Sequence, residues 1–271
     1  MKEGGNNMKL KDLADQIASN ALYVVSFLII IAGLFVCSVV AEKIIRKKEG
    51  ITDKTSAARR AACVGVLAAI SAVLMLFEIP MPFAPSFYKL DLSELPVMIG
   101  AFAFGPSAGV LIEFIKIVLK LFMKGTSTAF VGELANFAVG SSFVIPAATL
   151  YYANKTKITA IKSCILGTIC ITLFGTAFNA IYLLPAFAKL YGMPLDAILS
   201  MGKDVNSLAG DSIYTFVIAC VAPLNLIKGT VDSLLTLLVY KRISPVLKGA
   251  GIEANLVRNR NTKEAETSEE E

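Results

Sequence analysis

From residue 21 to residue 240 the chain returns again and again to long, nearly charge-free apolar runs, and nothing constrains its fold more strongly. The first, over residues 21–41, holds no charged side chain at all. A helix rises about 1.5 Å per residue, so about 20 apolar residues match a hydrocarbon core roughly 30 Å thick. Composition agrees: 55% of the 271 residues are apolar and the mean hydropathy is +0.67. That is too hydrophobic for a soluble domain of this size. The expected fold class is an all-α membrane protein.

Charge placement orders the runs. Residues 21–42 are followed by Lys43, Arg46, Lys47 and Lys48, the reverse of a secretory signal, and read as an uncleaved span with its N-terminus outside. A second span begins after Arg59 and Arg60 and reaches Glu78. Residues 79–93 form an outer loop that Pro80, Pro82 and Pro85 keep from being a continuous helix. Short helices are expected over 94–105 and 107–123, packed in a bundle or tilted. Longer spans are expected over 130–152, 158–184 and 223–240, with 213–222 an external helix or helix extension. Lysines and arginines concentrate in the loops this scheme places inside, including Lys155, Lys157, Lys241 and Arg242. A multi-pass protein of the plasma membrane with a cytoplasmic C-terminus follows. Residues 1–20 read as an external tail, 43–57 as a cytoplasmic linker and 249–271, ending in TSEEE, as a disordered cytoplasmic tail.

Several function classes fall away. The formal charge of +5 is spread between apolar runs instead of forming a solvated stripe, so no nucleic acid partner is expected. Histidine is absent, which removes histidine bases, triads and the commonest metal ligand. The five cysteines form no C-x-x-C pair and read as small buried hydrophobes; no metal or cofactor is expected. No nucleophile and base pair stands out, so an enzyme using Glu133 or Asp91 is a remote alternative. The chain also lacks G-x-x-x-x-G-K-[ST], so any ATP hydrolysis must occur on another chain.

What remains is binding. Polar residues in a hydrocarbon-length helix are costly and usually face a cavity or a partner. Glu133 and Asn136 open one span, Asn179 nears the end of the next, and Asn225 with Lys228 opens the last. Each pair is three residues apart and shares a helix face. Together they outline one pocket on the outer half, under a loop carrying Phe83, Phe87, Tyr88 and Asp91. Such rings and polar groups suit a planar heteroaromatic solute. The competing reading is interhelical glue, which asparagines in membrane helices also provide. Glu113, Lys116 and Lys120, spaced three and four apart, read as a structural ion pair with a snorkelling neighbour. Ala58, Ala62, Gly65, Ala69 and Ala72 form a small-residue stripe open to intramolecular packing or to a partner helix.

Several linked strings carry a resemblance: FEIPMPFAPSFYKLDLSELPVMIGAFAFGPSAGV (77–110), KGTSTAFVGELANFAVGS (124–141), FNAIYLLPAFAKLYGMPLDAI (178–198) and PLNLIKG (223–229). Over residues 58–248 the chain resembles the substrate-binding S components of energy-coupling-factor (ECF) vitamin transporters, in particular those specific for riboflavin. The resemblance implies a six-helix S-component bundle, here with an additional N-terminal transmembrane helix at 21–42. It implies riboflavin as the transported ligand, with FMN or another vitamin as alternatives, and Asn179, Asn225 and Lys228 as flavin contacts under a lid around Phe83–Asp91. It also implies a transmembrane coupling subunit and two ATPase subunits as partners, the coupling subunit meeting the Ala58–Ala72 stripe. Ile117 departs from the pattern, which argues against Lys116 as a ligand contact. A membrane scaffold is the blandest alternative.

Overall fold

Each apolar run becomes a helix in the computed structural model, which describes residues 21–50, 56–125, 130–210 and 212–248. The tails expected at 1–20 and 249–271 lie outside the described residues, as does most of the loop after residue 50. Helix α1 is Ala21–Glu49, longer than the charge-free run that defines it because Lys43 to Lys48 continue it as helix. Helix α2 is Ala57–Leu76, opened by the Ser56 hydroxyl accepting from the Arg59 amide at 3.3 Å. A two-stranded antiparallel ribbon, β1 (Ile79–Pro80) with β2 (Lys89–Leu90), closes the proline-rich loop on itself. Then come α3 (Glu94–Phe104), α4 (Pro106–Lys124), α5 (Val131–Ala153) and α6 (Lys157–Phe178), the last capped by Thr156. Shorter helices α7 (Leu184–Tyr191), α8 (Leu195–Val205) and α9 (Ile213–Phe216) precede the long α10 (Ala222–Lys248).

Six helices, α2 to α6 and α10, form the bundle, and among the described residues five helical stretches, α1 included, are long and apolar enough to cross a bilayer. Helix α3 is too short for that, about 16 Å at 1.5 Å per residue. It sits at the centre, buried from Pro96 to Phe104 and packed by α2, α4, α5 and α10. Phe102 stacks on Tyr151 at 4.3 Å and meets Tyr240 edge-on at 5.5 Å. The added helix α1 lies against α4 and α5, where Phe35 packs on Phe114 and Phe137. At its far end Glu42 accepts hydrogen bonds from the Ser107 amide and hydroxyl, satisfying the start of α4, and pairs with Arg46 and Arg60. Its other face exposes Leu28, Ile29 and Val36.

Besides the first helix, which takes in residues 43–49 of the expected linker, two boundaries differ from expectation, with one cause. The span expected to end at 184 continues to Tyr191, and the span expected to open at 223 is continuous from Ile213. Pro185 and Pro223 do not stop these helices, because each is preceded by a π-helical segment, Asn179–Leu183 and Val217–Val221. Proline lacks an amide donor and clashes with the carbonyl four residues back. A widened π turn accommodates both defects. Residues 213–222 are thus the extension of α10.

Candidate solute-binding site

The two π segments shape a cavity at the end of the bundle closed by the loop of residues 79–93, here called the lid. Its volume is about 130 Å³, and its walls come from the lid, the first turns of α5, the Asn179–Leu183 segment, α7 and the start of α10. The widened turn at Asn179 sends that side chain inward, where its amide donates to the Gly175 carbonyl at 2.7 Å. Its carbonyl oxygen accepts from the Tyr88 hydroxyl at 2.8 Å. Burial raises the Tyr88 phenol well above its ordinary value, so it remains a donor. The lid is thereby latched to the π segment by one hydrogen bond. Phe87 adds a ring stack on Phe187 at 5.1 Å.

Across the cavity, α10 presents Asn225 and Lys228 one turn apart. Asn225 is 5% exposed and its amide nitrogen has no hydrogen-bond partner. A buried, unmatched donor costs about 1–3 kcal/mol, and one aimed into a cavity marks where an acceptor belongs. Gly175 makes room for it: a Cβ there would lie 2.5 Å from that nitrogen. Lys228 forms the floor, 3.3 Å from both Asp91 and Glu94. Burial pushes the Asp91 carboxyl up, but Lys228, Lys116 and the hydrogen bonds of Ser93 outweigh it and hold the group below its ordinary value. At the mouth Lys89 and Lys124 share Glu78, at 2.7 and 2.5 Å.

Most residues expected in a pocket do meet here: Asn136, Asn179, Asn225, Lys228, Phe87 and Tyr88 all line the cavity. Asn136 spends its amide on the Gly132 carbonyl at 3.0 Å. The other three do not line it. Glu133 pairs with Lys120 at 2.7 Å. Lys120 is 9% exposed, so it does not snorkel as expected but turns inward to that partner. Asp91 lies behind Lys228, and Phe83 packs within the lid. Lys116 is buried between Glu94 and Glu113, at 2.9 and 2.7 Å, away from the cavity. On α2, Ala58, Ala62, Gly65 and Ala69 are exposed along one face. Ala72 is instead buried, because a repeat averaging 3.5 residues drifts about 20° per heptad on a straight helix.

Sequence reasoning missed Asn206. Its amide donates to the Ala219 carbonyl at 3.2 Å, the group that Pro223 leaves unmatched, and to the Phe83 carbonyl at 3.3 Å. One side chain therefore repairs the π segment and anchors the lid. Nothing local signalled it, because Asn206 lies well upstream of Pro223 and far from Phe83 in the chain. Phe187, Leu183 and Leu184, which complete the apolar wall, gave no signal beyond ordinary helix packing.

Fold and site together define a helical bundle of membrane-spanning length that encloses a small cavity beneath a latched loop. The family described as "ECF transporter, substrate-specific component" matches residues 59–240, and the chain belongs to that family. It is 33% identical to the riboflavin transporter FmnP of Bacillus subtilis over 184 residues, 67% of this chain and 90% of the relative. It is also 33% identical to the riboflavin transporter RibU of Staphylococcus aureus, over 70% of this chain and 93% of the relative. Among solved structures it resembles the S component of a bacterial ECF transporter with a TM-score of 0.56 and 30% identity, covering 71% of this chain and 99% of that one. Helix α1 precedes the matched region. The protein is therefore a multi-pass membrane component of a transporter.

Proposed function

We propose that this chain captures riboflavin at the outer face of the plasma membrane and passes it inward as the substrate-specific subunit of an ECF transporter. The observation that carries this reading is the unmatched Asn225 amide, set beside Lys228 and facing the rings of Phe87, Tyr88 and Phe187. Riboflavin offers a flat ring system with carbonyls and ring nitrogens on its edge, and hydroxyls on its side chain. The rings suit the aromatic wall and the carbonyls suit the two donors. Riboflavin is uncharged at neutral pH, so Lys228 acts as a donor while Asp91 and Glu94 balance its charge. The relatives named above support the same ligand.

The lid end is proposed to face outward and the end bearing Arg59, Arg60, Lys155, Lys157, Lys241 and Arg242 to face the cytoplasm, as loop charge favours. Partners would be a transmembrane coupling subunit, meeting the exposed Ala58–Ala69 face of α2, and two ATPase subunits. FMN is disfavoured because the mouth lysines, Lys89 and Lys124, already share Glu78. The test is spectroscopic. Protein purified from riboflavin-replete cells should carry a flavin absorbance spectrum, and riboflavin should displace bound ligand at lower concentration than FMN. A colourless sample that quenches no added flavin would overturn the assignment.

A further inference from the structure

Below the cavity floor lies a second cluster that solute binding does not explain. Asp91 from the lid, Glu94 from α3, Glu113 from α4 and Asp232 from α10 surround only two ammonium groups, Lys116 and Lys228. All four carboxylates are buried, and Glu94, Glu113 and Asp232 are fully so. Full ionisation would leave two excess negative charges inside a membrane bundle, which is strongly unfavourable.

Glu113 lies 2.7 Å from the Lys116 ammonium, whereas Asp232 has no ammonium in contact. Asp232 lies one turn beyond Lys228 on the same face of α10, and neither of its carboxylate oxygens has a partner. Thr236, one turn further, is also fully buried with an unmatched hydroxyl. The charged groups within electrostatic reach of Asp232 are Lys228 on its own helix, Glu94 on α3, Asp91 in the lid and Lys116 on α4. Helix α6 adds Cys164, whose thiol points to the Ser233 carbonyl. No group of three or more potential metal ligands occurs among the described residues.

We propose that Asp232 is a proton-binding site beneath the pocket, linked to solute binding through Lys228. The coupling is electrostatic. Lys228 is shared between Asp91 and Glu94. A solute carbonyl that accepts from Lys228 draws the ammonium away from those carboxylates, and the cluster recovers neutrality by taking a proton from bulk water onto Asp232. Solute affinity then falls as pH rises, by up to about tenfold per pH unit for one linked proton. Conversion to Asp232→Asn supplies the neutral form permanently and removes the linkage.

This inference uses riboflavin as the reporter and so rests on the proposed function, but one arm of its test needs no solute. Calorimetric titration of the full-length protein with riboflavin, in buffers of different ionisation enthalpy, should register net proton uptake. Fluorescence-quench titrations between about pH 6 and pH 9 should show affinity weakening in the wild type and staying flat in Asp232→Asn. Without solute, the acid-minus-alkaline infrared difference spectrum should contain a protonated-carboxyl stretch from Asp232 that Asp232→Asn lacks, because the same site takes its proton directly as pH falls. Identical infrared spectra for the two proteins would overturn the proposal, as would zero proton uptake in the wild type. An affinity that follows sodium concentration at fixed pH would overturn the assignment of the proton. If the wild type does not bind riboflavin at all, the functional reading fails while the infrared arm still decides the proton site.

Discussion

Replacing Gly175 by alanine tests the pocket without substituting any residue proposed to bind solute. Helices α6 and α10 are packed together at this point. The new methyl group would lie 2.5 Å from the Asn225 amide nitrogen, 3.0 Å from its Cγ and 3.1 Å from a Val139 methyl. Contacts that close cannot persist, so either the Asn225 side chain rotates away or α6 shifts from α10. Both remove the donor from the solute and leave one buried solute acceptor unmatched, at about 1–3 kcal/mol. Riboflavin affinity should fall roughly five- to hundredfold. The assay is quenching of riboflavin fluorescence in detergent, with Gly65→Ala as the control, because a Cβ at Gly65 meets nothing within 4 Å. Wild-type affinity in Gly175→Ala would refute the role given to Asn225.

Asn225→Ala should weaken riboflavin about ten- to hundredfold with an unchanged melting temperature, whereas Lys228→Ala should also destabilise the fold by about 3–5 kcal/mol, because it strips a buried cation from Asp91 and Glu94; thermal melts beside quench titrations separate the two. Glu78→Gln frees Lys89 and Lys124 at the mouth and should raise the FMN-to-riboflavin affinity ratio up to about fivefold, read by competition. Burial works against the Glu78 carboxylate, but the hydrogen bonds from Lys124 and Lys89 prevail and hold its carboxyl below the ordinary 4.5. A depressed carboxyl stabilises above its unfolded value, so this clamp on the lid should persist at neutral pH and loosen as pH falls below about 4.5, seen as faster solute exchange. Gly65→Leu should leave riboflavin binding intact while lowering co-purification with the coupling subunit at least about tenfold.

How much of this was legible follows from which forces leave a mark on sequence. Charge-free runs, basic loops and the i, i+3 pairs of Asn225 with Lys228 and Glu133 with Asn136 are local patterns, so the bundle and most of the pocket could be read directly. The fate of Glu133 could not. Its partner Lys120 lies on another helix, and only packing decides whether a long cation reaches lipid headgroups or a neighbour's carboxylate. The prolines misled for a related reason: Pro185 and Pro223 carry a strong local stop signal. Whether a helix ends or widens there depends on tertiary partners such as Asn206, distant in the chain from the Phe83 carbonyl it also holds. The Asp232 cluster was invisible because its members come from four separate segments.

The central claim is that Asn225 and Lys228 meet one solute in one cavity, and a stoichiometric binding titration tests it most directly. Riboflavin added to the purified full-length protein should be quenched saturably at one molecule per chain, and Asn225→Ala should shift that curve ten- to hundredfold without altering the melting temperature. No saturable quench in the wild type, or superimposable curves for the two proteins, would contradict the account.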